Sequence, residues 1–376
     1  MNSRDRVLAT IQHEEPDRVP TALWGSYYTL NDATYFAVLD NFDLGEPVAP
    51  FRKFLSRNSN YYDDRILDLL NTDVRYIWSG FTDIGGADME GDCTDCWGIR
   101  WERRGHSLTS CASPLAEAKS VEEIEAHSWP DPEHYIDREM IARRLQFLRK
   151  EYPEHAIAAR AVNSYGPFEQ GAELRGREQF YIDLIAEPEL ARAILRKCTE
   201  VINRGNEIYL DTFGDELAFF EIPGDDYGAT ETTILSPEMF GDLIKPELAL
   251  IVSGVKKYKP NLAVAFHTDG AITSIIPDLV EAGIDILNPL EPLPVTDWRA
   301  IKAEFGDRLC FMGGVDVREA MRGSREDVEK EVERCIDTFA SGGGYILTPA
   351  NHLQVDIPPE NIAAMFDSVR RDGVYS

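Results

Sequence analysis

Hydrophobic and polar positions along the chain fall into two alternating patterns. Short apolar, partly β-branched runs read as buried strands. The longer stretches between them repeat apolar residues at three- and four-residue spacing, as amphipathic helices do. The strand-like runs are "RVPTALWG" (18 to 25), "VRYIWSG" (74 to 80), "AIAARAV" (156 to 162), "LAFFEIPGD" (217 to 225), "LAVAFHTDG" (262 to 270), "DILNPLEP" (285 to 292), "LCFMGGVD" (309 to 316) and "GYILTPANH" (344 to 352). Helical patterns such as "IPDLVEAG" (276 to 283) and "REDVEKEVERCIDTFASGG" (325 to 343), the latter with a glycine stop, separate them. A further helix opens the chain, with Ser3 as its expected cap and Val7, Leu8 and Ile11 on one face. Eight alternating β and α units predict an α/β chain folded as a closed (β/α)8 TIM barrel, a single domain over residues 1–376.

The later strands are apolar where they start and polar where they end. Glu221 and Asp225, His267 and Asp269, Asn288 and Glu291, Asp316, and Asn351 with His352 all fall at C-terminal strand ends. In a barrel of this kind that end is the mouth, where active sites sit. Residues 81 to 130 break the alternation. There "DCWGIRWERRG" (95 to 105) predicts a hairpin inserted between barrel strands two and three, as a lid or rim.

Charge narrows the partners. The chain has 38 basic and 66 acidic side chains, a formal charge of −28, which favours solubility and opposes binding to nucleic acid or anionic lipid. The opening "MNSRDRVLATIQHEEPDR" lacks the apolar stretch of a signal peptide, and no run reaches the ~18 apolar residues of a membrane span. Both predict a cytoplasmic protein with no membrane partner. Six scattered cysteines suit reduced thiols better than a disulfide framework. Cys93 and Cys96 have C-x2-C spacing, but no second such pair follows.

The segment "FHTDGAITSIIPDLVEAGIDILNPLEP" resembles the uroporphyrinogen decarboxylase superfamily. So do "RVLATIQHEEPDRVP", "GPFEQGAELRG" (166 to 176), "GDDYGATETTILSPEMFGDLIKP" (224 to 246) and "GGYILTPANHLQVDIPPENI" (343 to 362), in the family's order. The resemblance implies an (α/β)8 barrel and one of two chemistries. True decarboxylases carry an arginine-containing N-terminal segment that grips the porphyrinogen carboxylates. Here the corresponding stretch is "PTALWGSYYTLNDATYF", and no arginine or lysine lies between Arg18 and Arg52. Buried carboxylates need cationic partners, so a decarboxylase-type lyase ranks second.

The other branch consists of corrinoid-linked methyltransferases, in which zinc held by one histidine and two cysteines activates a thiol. His267 matches that histidine, Asp269 stands at the first cysteine, and Asn351 or His352 near the second. Without thiolates, His267, Asp269 and a neutral third group leave about one positive charge on a divalent ion, and oxygen ligands admit iron or manganese beside zinc. Such a site suits an oxygen-bearing small molecule better than a soft thiol. The expected cofactors are therefore a divalent metal and a corrinoid carried by a partner protein.

The residues themselves leave several roles open. His267, Asp269, Glu221 and His352 are candidate metal ligands, with Glu221, His267 and Asp269 also candidates for catalysis. Trp24, Tyr27, Asp225, Asp226, Asn288, Glu291 and Asn351 are candidates for substrate binding. Asp269 is equally placed to cap the following helix, and His267 to act as a metal-free acid with Asp269 setting its tautomer. Glu221 is compatible with a rim carboxylate paired to arginine, and Trp24 with aromatic packing. A member that binds a small molecule or corrinoid without turnover is a further reading, because fold does not fix function.

Overall fold

The computed structural model describes residues 1–23, 28–48, 63–77, 93–104, 107–163, 165–213 and 216–375. Among these residues ten strands run β1 (Val74–Ile77), β2 (Cys93–Thr94), β3 (Arg100–Arg104), β4 (Ser107–Ala112), β5 (Ala156–Arg160), β6 (Leu217–Glu221), β7 (Ala263–His267), β8 (Ile286–Asn288), β9 (Cys310–Val315) and β10 (Tyr345–Pro349). Seven of them form one parallel sheet in the order β1-β5-β6-β7-β8-β9-β10. Helices connect these strands, as parallel neighbours require.

Among the described residues of the expected first strand at 18 to 25, pairing is limited to isolated bridges at Arg18, with Val374, and at Thr21. Thr21 bridges Leu347 of β10, the Leu347 N–H donates to Pro20 O (2.9 Å), and the Asp73 N–H before β1 donates to Thr21 O (2.9 Å). Pro20 has no N–H to offer, so a longer ladder cannot form there. Residues 20–22 still touch both edges of the sheet and curl it into a TIM-barrel-like closure.

Inward and outward side chains form separate packing sets. The lumen holds Val74, Tyr76, Ala156, Ala158, Phe219, Ala263, Ala265, Ile286, Met312 and Ile346, with Val7 of the helix Ser3–Ile11 plugging the bottom. Alanines from β5 and β7 leave room for Tyr76, Phe219 and Met312 from the other strands. Outward residues such as Ile157, Phe220, Val264, Phe266 and Leu287 pack under the helices. Asn2, not Ser3, caps the first helix, accepting from the Asp5 N–H at 2.8 Å. Ser3 Oγ instead donates to the buried Asp73 carboxylate (2.8 Å), which also holds Arg6 and Arg18.

The insertion is an antiparallel sheet of β2, β3 and β4, placed in sequence between β1 and β5. Asp95 organises its turn, accepting from the N–H groups of Trp97 and Ile99 and from Trp101 Nε1. Among the described residues Cys93 and Cys96 join no metal-binding group.

Candidate metal centre

His267 is the last residue of β7, and strand alternation turns it into the lumen, where it is 1 % exposed. Its register partner on β8, Asn288, places Oδ1 at 2.6 Å from His267 Nδ1. With that oxygen as acceptor, Nδ1 carries the proton and Nε2 presents its lone pair to the mouth.

Two carboxylates meet that lone pair. Asp269 Oδ1 lies 3.6 Å and Asp226 Oδ1 3.9 Å from His267 Nε2. Among the described residues these three form a group whose ligand atoms all lie within 4.8 Å of one another. A tetrahedral ion with bonds of about 2.1 Å needs donors about 3.4 Å apart, so the two histidine edges would have to close by only a few tenths of an ångström. Asn351, beyond β10, donates from Nδ2 to Asp269 Oδ2 (3.2 Å), while Asp269 Oδ1 is buried with no hydrogen-bond partner. The carboxylate is thus oriented by one oxygen and available through the other.

The electrostatics follow from crowding. Burial works against charge on His267, but Asp269 and Asp226 outweigh it and raise its pKa. Burial likewise disfavours charge on Asp269, yet His267, His352 and Asn351 hold it below the ordinary value. Asp226 is pushed up by burial and by Asp269, against the pull of His267. Glu291 is also raised, by burial and then by Asp269.

The remaining candidates divide into neighbours and supports. Glu291 Oε2 accepts from the Gly270 N–H at 2.7 Å, and its other oxygen pairs with Arg318. Asp225 turns away from the mouth and accepts from the N–H groups of Phe168 (3.0 Å) and Glu169 (2.8 Å) at the start of the helix Pro167–Arg175, and from Tyr227 Oη (3.0 Å). Burial pushes its carboxyl up to about 7 against those donors. A Cβ on Gly166 would lie 2.3 Å from Asp225 Oδ2, so the site requires glycine there. His352 reaches Asp269 through its charge, and its N–H bonds to Asn351 Oδ1. Trp24 and Tyr27 lie outside the described residues.

Glu221 stands apart from the three-residue group. It pairs in register with Ala265, two residues before His267, and so sits one lumen layer lower, about 6.6 Å down the strand. Arg160 Nε lies 3.5 Å from Glu221 Oε1, and Tyr28 Oη lies 3.4 Å from Oε2 and 2.9 Å from Tyr76 Oη. Sequence reasoning missed Arg160. Its signal is an arginine at an inward position of the alanine-rich run "AIAAR".

The family model for "Uroporphyrinogen decarboxylase (URO-D)" matches residues 110–371, most of the barrel and every residue of the three-membered group. The chain belongs to the uroporphyrinogen decarboxylase family. Among curated relatives, uroporphyrinogen decarboxylase 2, chloroplastic, of Oryza sativa subsp. japonica is 26 % identical over 266 residues, covering 68 % of this chain and 61 % of that protein. The uroporphyrinogen decarboxylase of Vesicomyosocius okutanii is 24 % identical over 191 residues, half of each chain. The chain thus spans between half and three-fifths of the length of these two relatives. Among solved structures, a methyltransferase from Methanosarcina mazei superposes with a TM-score of 0.70 at 16 % identity, covering 99 % of both chains. At that identity the likeness shows the fold alone. Among the described residues no helix is long and apolar enough to cross a membrane.

Proposed function

We propose that this URO-D family chain is a divalent-metal-dependent enzyme of the methyltransferase type, acting on an oxygen-bearing small molecule and exchanging a methyl group with a corrinoid on a partner protein. The observation that carries the reading is the convergence of Asp226 and Asp269 on the Nε2 lone pair of His267. Asp226 replaces Glu221 and His352 in the expected ligand set. Two carboxylates and a neutral imidazole balance a divalent ion, so the site is neutral where one carboxylate would have left it positive. The preference for oxygen rests on the hard donor set, which suits zinc and admits iron or manganese.

A divalent ion held there supplies Lewis acidity toward a substrate oxygen. The chain's own residues account for the rest. Asn288 fixes the imidazole tautomer, and Asn351 orients Asp269. Tyr28, Tyr76, Arg160 and Glu221 form a polar floor one layer below, where the substrate's remaining polar groups bind and Glu221 acts as general base toward a bound hydroxyl. Glu291 and Asn351 line the rim, and the acidic surface keeps nucleic acid away. A cytoplasmic setting fits Cys198, Cys310 and Cys335, which are buried as thiols.

Elemental mass spectrometry on protein purified without a metal-binding tag tests the centre. Near-stoichiometric zinc, iron or manganese is expected in wild type and lost in His267→Ala and Asp226→Ala. Wild type without metal after reconstitution would sink the reading. Methyl transfer from methoxylated or methylated compounds to cob(I)alamin, with and without enzyme, then tests the reaction class.

The alternative is a decarboxylase-type lyase, favoured by the names of the curated relatives. The segment between Arg18 and Arg52, devoid of basic side chains, argues against a polycarboxylate substrate.

A further inference from the structure

The metal reading leaves one question about Asp226. It lies beyond the end of β6, in a segment with no regular structure, yet it must hold a fixed position against two residues on β7. Two mouth segments, 225–229 and 267–271, are joined step by step past the ends of their strands. The Asp225 N–H donates to His267 O (3.2 Å), the Gly228 N–H to Asp269 O (3.0 Å) and the Ala271 N–H to Ala229 O (2.8 Å). The Asp269 N–H donates to Asp226 Oδ1 at 3.1 Å.

Two features make this join rigid. Gly228 and Gly270 press backbone against backbone: a Cβ on Gly228 would lie 2.5 Å from Gly270 C, and one on Gly270 would lie 2.3 Å from Gly228 C. Gly270 also has φ +89°, which disfavours any side chain. The second feature is Thr268, whose Oγ1 accepts from the Tyr227 N–H at 3.1 Å while both residues are at most 2 % exposed. Tyr227 is itself wedged in the core, its ring stacked at 26° on Phe266 and met edge-on by Phe240. Asp226 is therefore flanked by two anchored residues. Only its side chain is left to project toward His267.

We propose that Thr268, working with the Gly228–Gly270 contact, is a positioning residue for cation binding: it locks the two mouth segments in one register and so delivers Asp226 to His267 and Asp269. The inference rests on the metal reading above. Among the direct links between the two segments, the Thr268 hydroxyl is one that a substitution can remove without touching a ligand. Thr268→Val keeps the shape and deletes the acceptor, and Thr268→Ser restores it.

The test is Zn²⁺ affinity, measured by competition with a chromophoric chelator, with the Co²⁺ absorption spectrum as a second readout. Thr268→Val is expected to bind Zn²⁺ about 10- to 100-fold more weakly with an altered Co²⁺ spectrum, the range for losing a residue that orients a ligand, and Thr268→Ser to match wild type. Wild-type affinity and spectrum in Thr268→Val, even with a lowered melting temperature, would overturn the proposal and leave Thr268 a fold residue. If Thr268→Val does not fold, Gly228→Ala takes its place, because its Cβ pushes the same segments apart; unchanged affinity there overturns the proposal equally. A wild type that takes up no Zn²⁺ or Co²⁺ defeats the metal reading itself and the inference with it, which separates that failure from the failure of Thr268 alone.

Discussion

Arg160 and Glu221 are register partners on the adjacent strands β5 and β6, with Nε and Oε1 3.5 Å apart, at 2 % and 0 % exposure. The separation is long for a buried pair, and Oε1 has no hydrogen-bond partner. Desolvating two charges for so loose a contact costs more than the contact returns. Arg160→Met or Glu221→Leu alone, each removing one member of the buried pair, is expected to lower stability by about 3–5 kcal/mol. The double substitution is expected to be neutral or stabilising by about 1–4 kcal/mol while abolishing turnover. Urea unfolding of the three variants decides it. A double variant less stable than either single one would mean that the pair holds the fold together.

Asn288 sets which ring nitrogen of His267 carries the proton. Asn288→Leu removes the acceptor for Nδ1 and frees the tautomer, so metal affinity should fall about 10- to 100-fold. Asn288→Asp keeps an acceptor and should bind at least as tightly as wild type. Equal affinity in the leucine variant would show that the tautomer is set elsewhere.

Most of the barrel is legible in the chain because its strands are short apolar runs, several of the later ones followed by polar residues, and parallel pairing then dictates the rest. The first strand is the exception, because closure there rests on backbone pairing at Thr21 and on the Asp73 carboxylate, neither of which has a hydrophobic signature. His267 and Asp269 stand two residues apart at a strand end, a spacing visible by inspection. Asp226 and Asp225 are adjacent acids that the sequence cannot rank. One turns to the helix beginning at Pro167 and the other to His267, and that division depends on Gly166 admitting Asp225 against its backbone. Arg160 was hidden by its position: the sequence of an alanine-rich strand does not reveal which neighbouring strand supplies the carboxylate beside its one arginine.

The pH dependence reverses sign with metal. Without metal, the folded state raises the pKa of His267 above its ordinary value of about 6.5, so protonation favours folding. That contribution is complete below the unfolded value and disappears as pH rises through the folded one. Chelator-treated wild type should therefore lose stability in that window, and His267→Gln should lose the dependence. With metal present the imidazole must be neutral, so affinity should fall as pH drops through the same window. Denaturant unfolding and metal titration across neutral pH check both arms. A matching pH dependence in His267→Gln would assign the effect to other groups.

Asp73 is expected to be among the most sensitive positions outside the mouth. It is fully buried and accepts from Arg6, Arg18, Ser3 and the Thr21 N–H. Asp73→Ala takes the buried carboxylate from Arg18 and from Arg6, which keeps its pair with Asp17, and should cost about 3–5 kcal/mol. Limited proteolysis should then release the N-terminal segment first. Unchanged stability would show that the arginines find other partners.

The seam at Thr21 makes residues 1–23 a clasp. β1 and β10 are the outer strands of an otherwise open sheet, and what hides their unpaired backbone groups at the seam is a short length of N-terminal chain held by the Asp73 carboxylate and a few backbone hydrogen bonds. When the clasp lifts, two strand edges face solvent, each able to recruit the edge of another molecule. Self-association should therefore begin at this seam, and a molecule that loses its N-terminus should aggregate before it unfolds.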